Sequence, residues 1–209
     1  MSVDASVAPD LHVTFALRDV PGDADCERAA LSMVRAASNE LPILHAWIGG
    51  PVPRNTPIPD WSKLLARGMQ VVWVQAGIRS VPQEFTAHGW HFRQRTYRAV
   101  LDKPLPQAAP WLCTVAMDVD LEHEEEFNAW YSEEHVTRIA AVPGVISASR
   151  FVTQGNPRYL ALYHVDGPST LMSPAYAEAT ETPWSFRVRR FMRDVSRFVY
   201  RPAGVLVEQ

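Results

Sequence analysis

The sequence predicts an α+β chain in which a β-α-β-β-α-β unit occurs twice, each copy forming an antiparallel sheet with helices on one face. Three observations carry this. His12 to Arg18 and Leu112 to Asp118 both read as short strands, and Thr14 and Ala16 return as Thr114 and Ala116 one hundred residues later. Trp90-His91-Phe92-Arg93 returns as Trp184-Ser185-Phe186-Arg187, and each copy precedes a terminal strand with a Tyr-Arg pair, Tyr97-Arg98 and Tyr200-Arg201. Similarity at this spacing implies duplication of a whole module, since solenoid repeats are shorter. Between the copies, the prolines of 104–110 remove backbone donors and disfavour helix in the residues before them, which marks a linker.

The first unit, residues 1–103, reads as strand 11–19, helix 24–37, strand 42–48, strand 69–75, helix 81–92 and strand 95–101. Helix 24–37 rests on Cys26, Ala29, Ala30, Met33, Val34 and Ala37, which share one face at helical spacing. The Pro-rich connection 49–68, with a short helix at Trp61 to Ala66, is a surface loop or a lid. The second unit, residues 111–209, reads as strand 111–118, helix 121–140, strand 145–153, strand 158–165, helix 173–192 and strand 195–201, with Pro143-Gly144 ending the long helix. A sheet covered by helices on one face leaves the other exposed, so the two sheets are expected to pack together within the chain, with ligand space in the barrel they make.

Composition narrows the function. The 209 residues are 47% apolar, enough for a substantial core, and 20 basic against 23 acidic side chains leave a net charge of −3. No basic surface is available for phosphate backbones, so nucleic acid is not an expected partner. The first nine residues lack a signal-peptide pattern and no run approaches the roughly 18 apolar residues of a membrane span, so the expected protein is soluble, cytoplasmic and not membrane-bound. Cys26 and Cys113 fit no redox or metal spacing and read as small core residues. Gly-rich phosphate loops and GxSxG elbows are absent from the sequence, which disfavours a nucleotide cofactor.

The most informative segment runs from Phe127 to Arg138. Phe127, Trp130 and Tyr131 start an i, i+3, i+4 apolar stripe that continues at Glu134, His135 and Arg138. The stripe changes from apolar to ionisable, as expected of a helix facing a polar cavity; the alternative is a helix end turning to solvent, with Arg138 complementing the dipole. Strand alternation adds His12 and Thr14 on one face of the first strand and Ile43, His45 and Trp47 on one face of the second. Arg150 is a candidate cation for a carboxylate or enolate, and either Tyr163 or His164 points inward, parity alone not choosing between them. No metal is expected: neither His88 with His91 nor Asp118, Asp120, Glu122 and His123 fits a familiar ligand pattern, and acids at a helix start complement its dipole. Arg187, Arg189, Arg190, Arg193 and Arg197 read as a solvated helix face, with an anionic substrate as the alternative.

Phe127, Trp130-Tyr131, Glu134-His135, Pro143-Gly144-Val145 and Arg150-Phe151 together resemble the EthD-type branch of the dimeric α/β-barrel superfamily over most of 111–201. The resemblance implies tandem ferredoxin-like halves whose sheets form an intramolecular barrel, with His135 matching the family histidine and Tyr131 the aromatic residue before it. The first unit departs from the motif, since helix 24–37 carries Ala and Met there. That superfamily spans monooxygenases, lactone isomerases, polyketide cyclases and haem enzymes. The expected function is a cofactor-independent acid/base enzyme, an isomerase, cyclase or lyase, on a small cyclic or aromatic substrate. His135, Tyr131 and Arg150 are its expected catalytic residues; His12, His45, Trp47, Trp130, Glu134 and Arg138 are expected to bind substrate. The alternatives are a cofactor-free monooxygenase of a phenol, a haem-dependent enzyme and a non-catalytic small-molecule binder. A homodimer is compatible with this scheme but not needed to close the barrel.

Overall fold

A computed structural model describes residues 11–18, 43–53, 57–58, 63, 69–76, 84–87, 90–96, 98–99, 111–152 and 156–203. Its strands are β1 Leu11–Arg18, β2 Ile43–Pro51, β3 Met69–Ala76, β4 Glu84–Ala87, β5 Trp90–Thr96, β6 Arg98–Ala99, β7 Trp111–Val119, β8 Val145–Val152, β9 Tyr159–Val165 and β10 Met192–Pro202. They form one sheet in the order β4-β5-β1-β3-β2-β10-β7-β9-β8-β6, antiparallel at every pairing. The order β5-β1-β3-β2 recurs as β10-β7-β9-β8, so β1 and β7, which carry the repeated Thr-x-Ala, occupy equivalent places. Instead of two separate sheets face to face, the halves of this order join edge to edge, Val199 of β10 lying opposite Gly50 of β2.

Helix 24–37 lies outside the described residues, and of the short helix at 61–66 only Lys63 is described, in helical conformation. Helix 81–92 is overturned: β4 and β5 pair there, with Ala87 opposite Trp90 and Phe85 opposite Phe92. The apolar residues Trp90 and Phe92 alternate with polar ones, a strand period, and the two residues between the paired ends include Gly89. The echoed Trp-x-Phe-Arg motifs are therefore not structural equivalents. Trp184 to Arg187 sit in a helix because Thr182 caps it, accepting a bond from the Ser185 amide, and Pro183 occupies its first turn.

The long helix 121–140 forms as a 3₁₀ turn, α1 Glu124–Trp130, a π-helical turn Tyr131–His135, and α2 Val136–Ala140. Helix 173–192 is divided into α3 Pro174–Thr180, α4 Pro183–Val188 and a 3₁₀ turn Arg189–Phe191, because Pro183 and its Thr182 cap begin a new helix. Gly144, at φ +87°, carries the chain from α2 into β8, and a Cβ there would stand 2.4 Å from Thr170 Oγ1 and 2.7 Å from Asp166 Oδ1. Gly144→Ala is expected to cost about 2 kcal/mol or more, the sum of left-handed strain and the forced shift, read as a lower midpoint in urea unfolding. An unchanged midpoint would show that the turn relaxes freely.

All seven residues of β9 are buried, so both of its faces are covered. Tyr159, Ala161, Tyr163 and Val165 join Phe127, Trp130, Tyr131 and Ile139 on the helix side. Leu160 and Leu162 face the other way, against Leu112, Phe151, Tyr200 and, from the first half, Trp47 and Val72. A flat sheet would hold β2 and β9 roughly 14 Å apart, three strand spacings. Instead the Trp47 and His164 rings lie 5.6 Å apart, so the sheet curls around this second cluster.

Candidate active site

A cavity of about 840 Å3 opens between the helix side of the sheet and the helices of the second half. Val115, Tyr163 and Arg197 come from β7, β9 and β10; Trp130, Tyr131 and His135 come from the long helix; Leu171, Tyr176 and Thr180 come from the segment leading through α3. Pro51 and Val52 close a further side from the end of β2. A bulge in β10 between Arg193 and Ser196, with Asp194 at φ 50°, supplies the extra residue that bends this strand beside the cavity.

His135 is placed by the π-helical turn. Such a turn inserts a residue into the helical repeat, so the buried face that begins Phe127, Trp130, Tyr131 resumes at His135, Val136 and Ile139. That shift explains why the stripe expected at Glu134, His135 and Arg138 survives only at His135. Arg138 is exposed and donates to the Glu178 carbonyl at 3.2 Å, away from the cavity. The His135 ring is 7% exposed, stacks on Trp130 at 4.0 Å and 27°, and meets the Tyr131 ring edge-on at 5.2 Å. Trp130 is held in turn by its Nε1 donating to Ser185 Oγ at 3.3 Å. Ser185 contacts Thr182 Oγ1, which donates to Glu134 Oε1 at 2.5 Å. Glu134 thus anchors the start of α4, and through it Trp130, and does not line the cavity.

Arg150 lies behind Tyr131, outside the cavity wall. Its guanidinium sits over the rings of Tyr131 at 4.5 Å and of Phe127 and Tyr159 at 4.9 Å, and it donates to Asn128 Oδ1 at 2.5 Å. Burial depresses its pKa, opposed by the phenols around it. Trp47 is fully buried in the cluster on the opposite sheet face and does not reach the cavity. For His12 and His45 only the backbone is described: His12 lies opposite Gln75 and Thr96, and His45 opposite Val74, with a register shift between Ile43 and His45 that breaks the expected alternation. Of the pair left open by parity, Tyr163 faces the cavity, while the His164 ring accepts or donates at 2.8 Å to Ser147 on the other face.

The expected solvated run of arginines disperses. Arg187 pairs with Glu126 at 2.8 Å, Arg193 pairs with Asp120, and Arg189 donates to the Thr180 carbonyl at the cavity wall. Arg197 sits on β10, where strand alternation turns it onto the helix side. Among the described residues no group of three or more His, Cys, Asp or Glu side chains is arranged to hold a metal, and no helix is long and apolar enough to cross a membrane.

Burial pushes the Tyr131 phenol up to about 12 against a partial pull from Arg150, and raises Tyr163 well above its ordinary value. Tyr159 rises to about 12 through burial and its bond to Glu124. A phenol whose pKa is higher folded than unfolded stabilises the fold fully below the unfolded value, about 10, and that contribution is lost as pH rises through the folded value. The melting temperature is therefore expected to fall above about pH 10, and Tyr131→Phe to flatten the fall. Parallel curves for both proteins between pH 8 and 12 would contradict this account of Tyr131.

No protein-family model matches the sequence. No curated protein matches it. Solved structures match almost end to end. A protein of Fusobacterium nucleatum provisionally named a monooxygenase superposes with a TM-score of 0.59 at 10% identity, covering 95% of this chain and 94% of that one. An anthrone oxidase-like protein gives 0.55 at 10% identity over 95% and 96%. The haem-degrading enzyme of Listeria monocytogenes gives 0.51 at 9% identity over 91% and 97%. These likenesses show the class of fold alone, an α+β protein with an antiparallel, ferredoxin-like sheet.

Proposed function

We propose that this chain is a cofactor-independent small-molecule enzyme whose reaction begins when His135 takes a proton from a cyclic or aromatic substrate in the cavity. The observation that carries the reading is a buried imidazole on a π-helical turn, stacked on Trp130 at the wall of a cavity of about 840 Å3. The mostly apolar walls lower the local dielectric and strengthen polar contacts made against them. Tyr131 stays protonated across the physiological range, which suits it to donate to a developing oxyanion. Trp130 walls the substrate, while Glu134 and Arg150 act as positioning residues, through α4 and Tyr131 respectively. Returning the proton to a different carbon completes an isomerisation; expelling a leaving group or closing a ring completes a lyase or cyclase reaction.

The EthD-type motif around His135 supports the same site. The strand order supports an intramolecular barrel of tandem ferredoxin-like halves: one residue separates β6 from β5, yet β6 pairs with β8 at the far end of the order, so the pairings return to their start.

The anthrone oxidase-like neighbour favours a second reading, in which the carbanion left by proton abstraction is oxidised by molecular oxygen. The two are separated on lactone, phenol and polyketide-like substrates. Deuterium entering from D2O without oxygen uptake marks acid/base chemistry, stoichiometric oxygen uptake marks the oxygenase, and binding without either marks a carrier. A haem reading would use the same wall, where His135 would be the residue to hold the iron and the haem would supply redox chemistry. A Soret band in the purified protein would replace the cofactor-free proposal.

A further inference from the structure

Burying a cation is costly unless a carboxylate or several good acceptors compensate it, a rule that most described arginines of the second half obey. Outside the cavity, Arg158 pairs with Glu124 at 2.9 Å, the exposed Arg187 and Arg193 have Glu126 and Asp120, and Arg150 has Asn128 and three ring faces; in the cavity wall, Arg189 donates to the Thr180 carbonyl. Arg197 does not obey it. It is half-buried on the cavity floor, forms no ion pair among the described residues, and has the Cys113 thiol as its hydrogen-bonding neighbour, with the phenols of Tyr163 and Tyr176 close by. The carboxylate that shares the cavity wall, Glu181, is exposed at the end of α3 and is not paired with it. A second polar group is weakly held: the buried Tyr163 hydroxyl neighbours the Tyr131 phenol but makes no hydrogen bond of good geometry.

We propose that the cavity selects ligands that carry one carboxylate on a planar apolar body, the carboxylate seated on the Arg197 guanidinium with the Tyr163 hydroxyl as a second donor. The guanidinium fork matches a carboxylate in two parallel bonds, and a phenol adds a third donor to the same anion. Burial works most strongly against the charge, but Cys113, Tyr176 and Tyr163 together outweigh it and hold the Arg197 pKa above its ordinary value, so the cation is retained at any working pH. The rest of the lining, Val115, Leu171, Met172 and Trp130 among it, suits an aromatic body. The proposal deepens the reading of the cavity as the ligand site and rests on it.

The test is calorimetric titration of the whole protein at neutral pH with 2-naphthoate and its neutral analogue 2-naphthamide. Naphthoate is expected to bind at least about tenfold tighter, the scale of one charge-assisted hydrogen bond. In Arg197→Gln the two are expected to bind within about twofold of each other, and Tyr163→Phe is expected to weaken naphthoate about three- to tenfold without changing naphthamide. Equal binding of the two probes by the unmodified protein overturns the carboxylate preference and leaves the cavity as a ligand site. Failure of both to bind removes the cavity reading as well. A preference that survives Arg197→Gln in a folded variant overturns the role of Arg197, and where that variant does not fold, the probe comparison and Tyr163→Phe decide. Binding of 2-naphthol that tightens as it ionises, with no preference for naphthoate, would also overturn the proposal in favour of a phenolate site.

Discussion

His135→Ala is expected to lower turnover by at least about a hundredfold, the lower bound for removing a general acid or base, while the protein remains folded. The ring lies at a helix turn already anchored by its neighbours. Trp130 is fixed by Ser185, and Phe127 and Ile139 are fully buried on either side of the turn, so the turn keeps these anchors when the imidazole is removed. The thermal midpoint is therefore expected to shift by only a few degrees, corresponding to about 1 kcal/mol. His135→Gln keeps much of the volume and a hydrogen-bonding end but cannot exchange a proton near neutrality, and is expected to be as inactive as the alanine variant. Single-turnover kinetics on the identified substrate separates the step: proton transfer should slow while substrate affinity stays within a few-fold. Unchanged turnover in His135→Ala would move the chemistry to the floor of the cavity, to Tyr163 and Arg197.

Much of the second half was legible because each of its elements is governed by local rules. The period of 121–140, the Pro143-Gly144 turn and the apolar runs of 145–152 and 159–165 all appear where their sequences place them. What periodicity could not show was the π-helical turn. A fixed repeat of 3.6 residues carried the stripe on to Glu134 and Arg138, whereas the inserted residue returns it at Val136 and Ile139. The signal was present in those two apolar residues, which an uninterrupted helix would have left beside the stripe. Trp90 to Arg93 misled for a different reason, because a motif shared with a helix does not make a helix. Its two-residue alternation and the glycine before it outweighed the resemblance. Arg197 was missed because a cluster of arginines suggests a solvated surface. Only strand pairing, which sets Arg197 opposite Val115, reveals that one member of the run turns inward. Arg150 illustrates the converse: its type suggested contact with an anion, but three aromatic rings that are distant in sequence converge on it.

Arg150 is therefore expected to respond to substitution as a packed side chain. Arg150→Ala would leave a void bounded by Phe127, Tyr131 and Tyr159 and deprive Asn128 Oδ1 of its donor, which places the loss of stability at about 3–5 kcal/mol, in the range of large-to-small core substitutions. Arg150→Met fills most of the same space with an unbranched, polarisable chain that packs well against aromatic rings. It also removes the desolvation of a cation that burial already works against. That variant is expected to lie within about 1–2 kcal/mol of the unmodified protein in urea unfolding, and to keep turnover within about tenfold, since Tyr131 and the cavity wall remain in place. The two substitutions together separate packing from charge. If Arg150→Met is as stable as expected yet loses a hundredfold or more in kcat/KM, the guanidinium acts on the substrate or on the Tyr131 phenol through its charge. If it retains activity while Arg150→Ala unfolds at low urea, the cation is a structural strut beneath the catalytic wall, and anion recognition in the cavity belongs to Arg197.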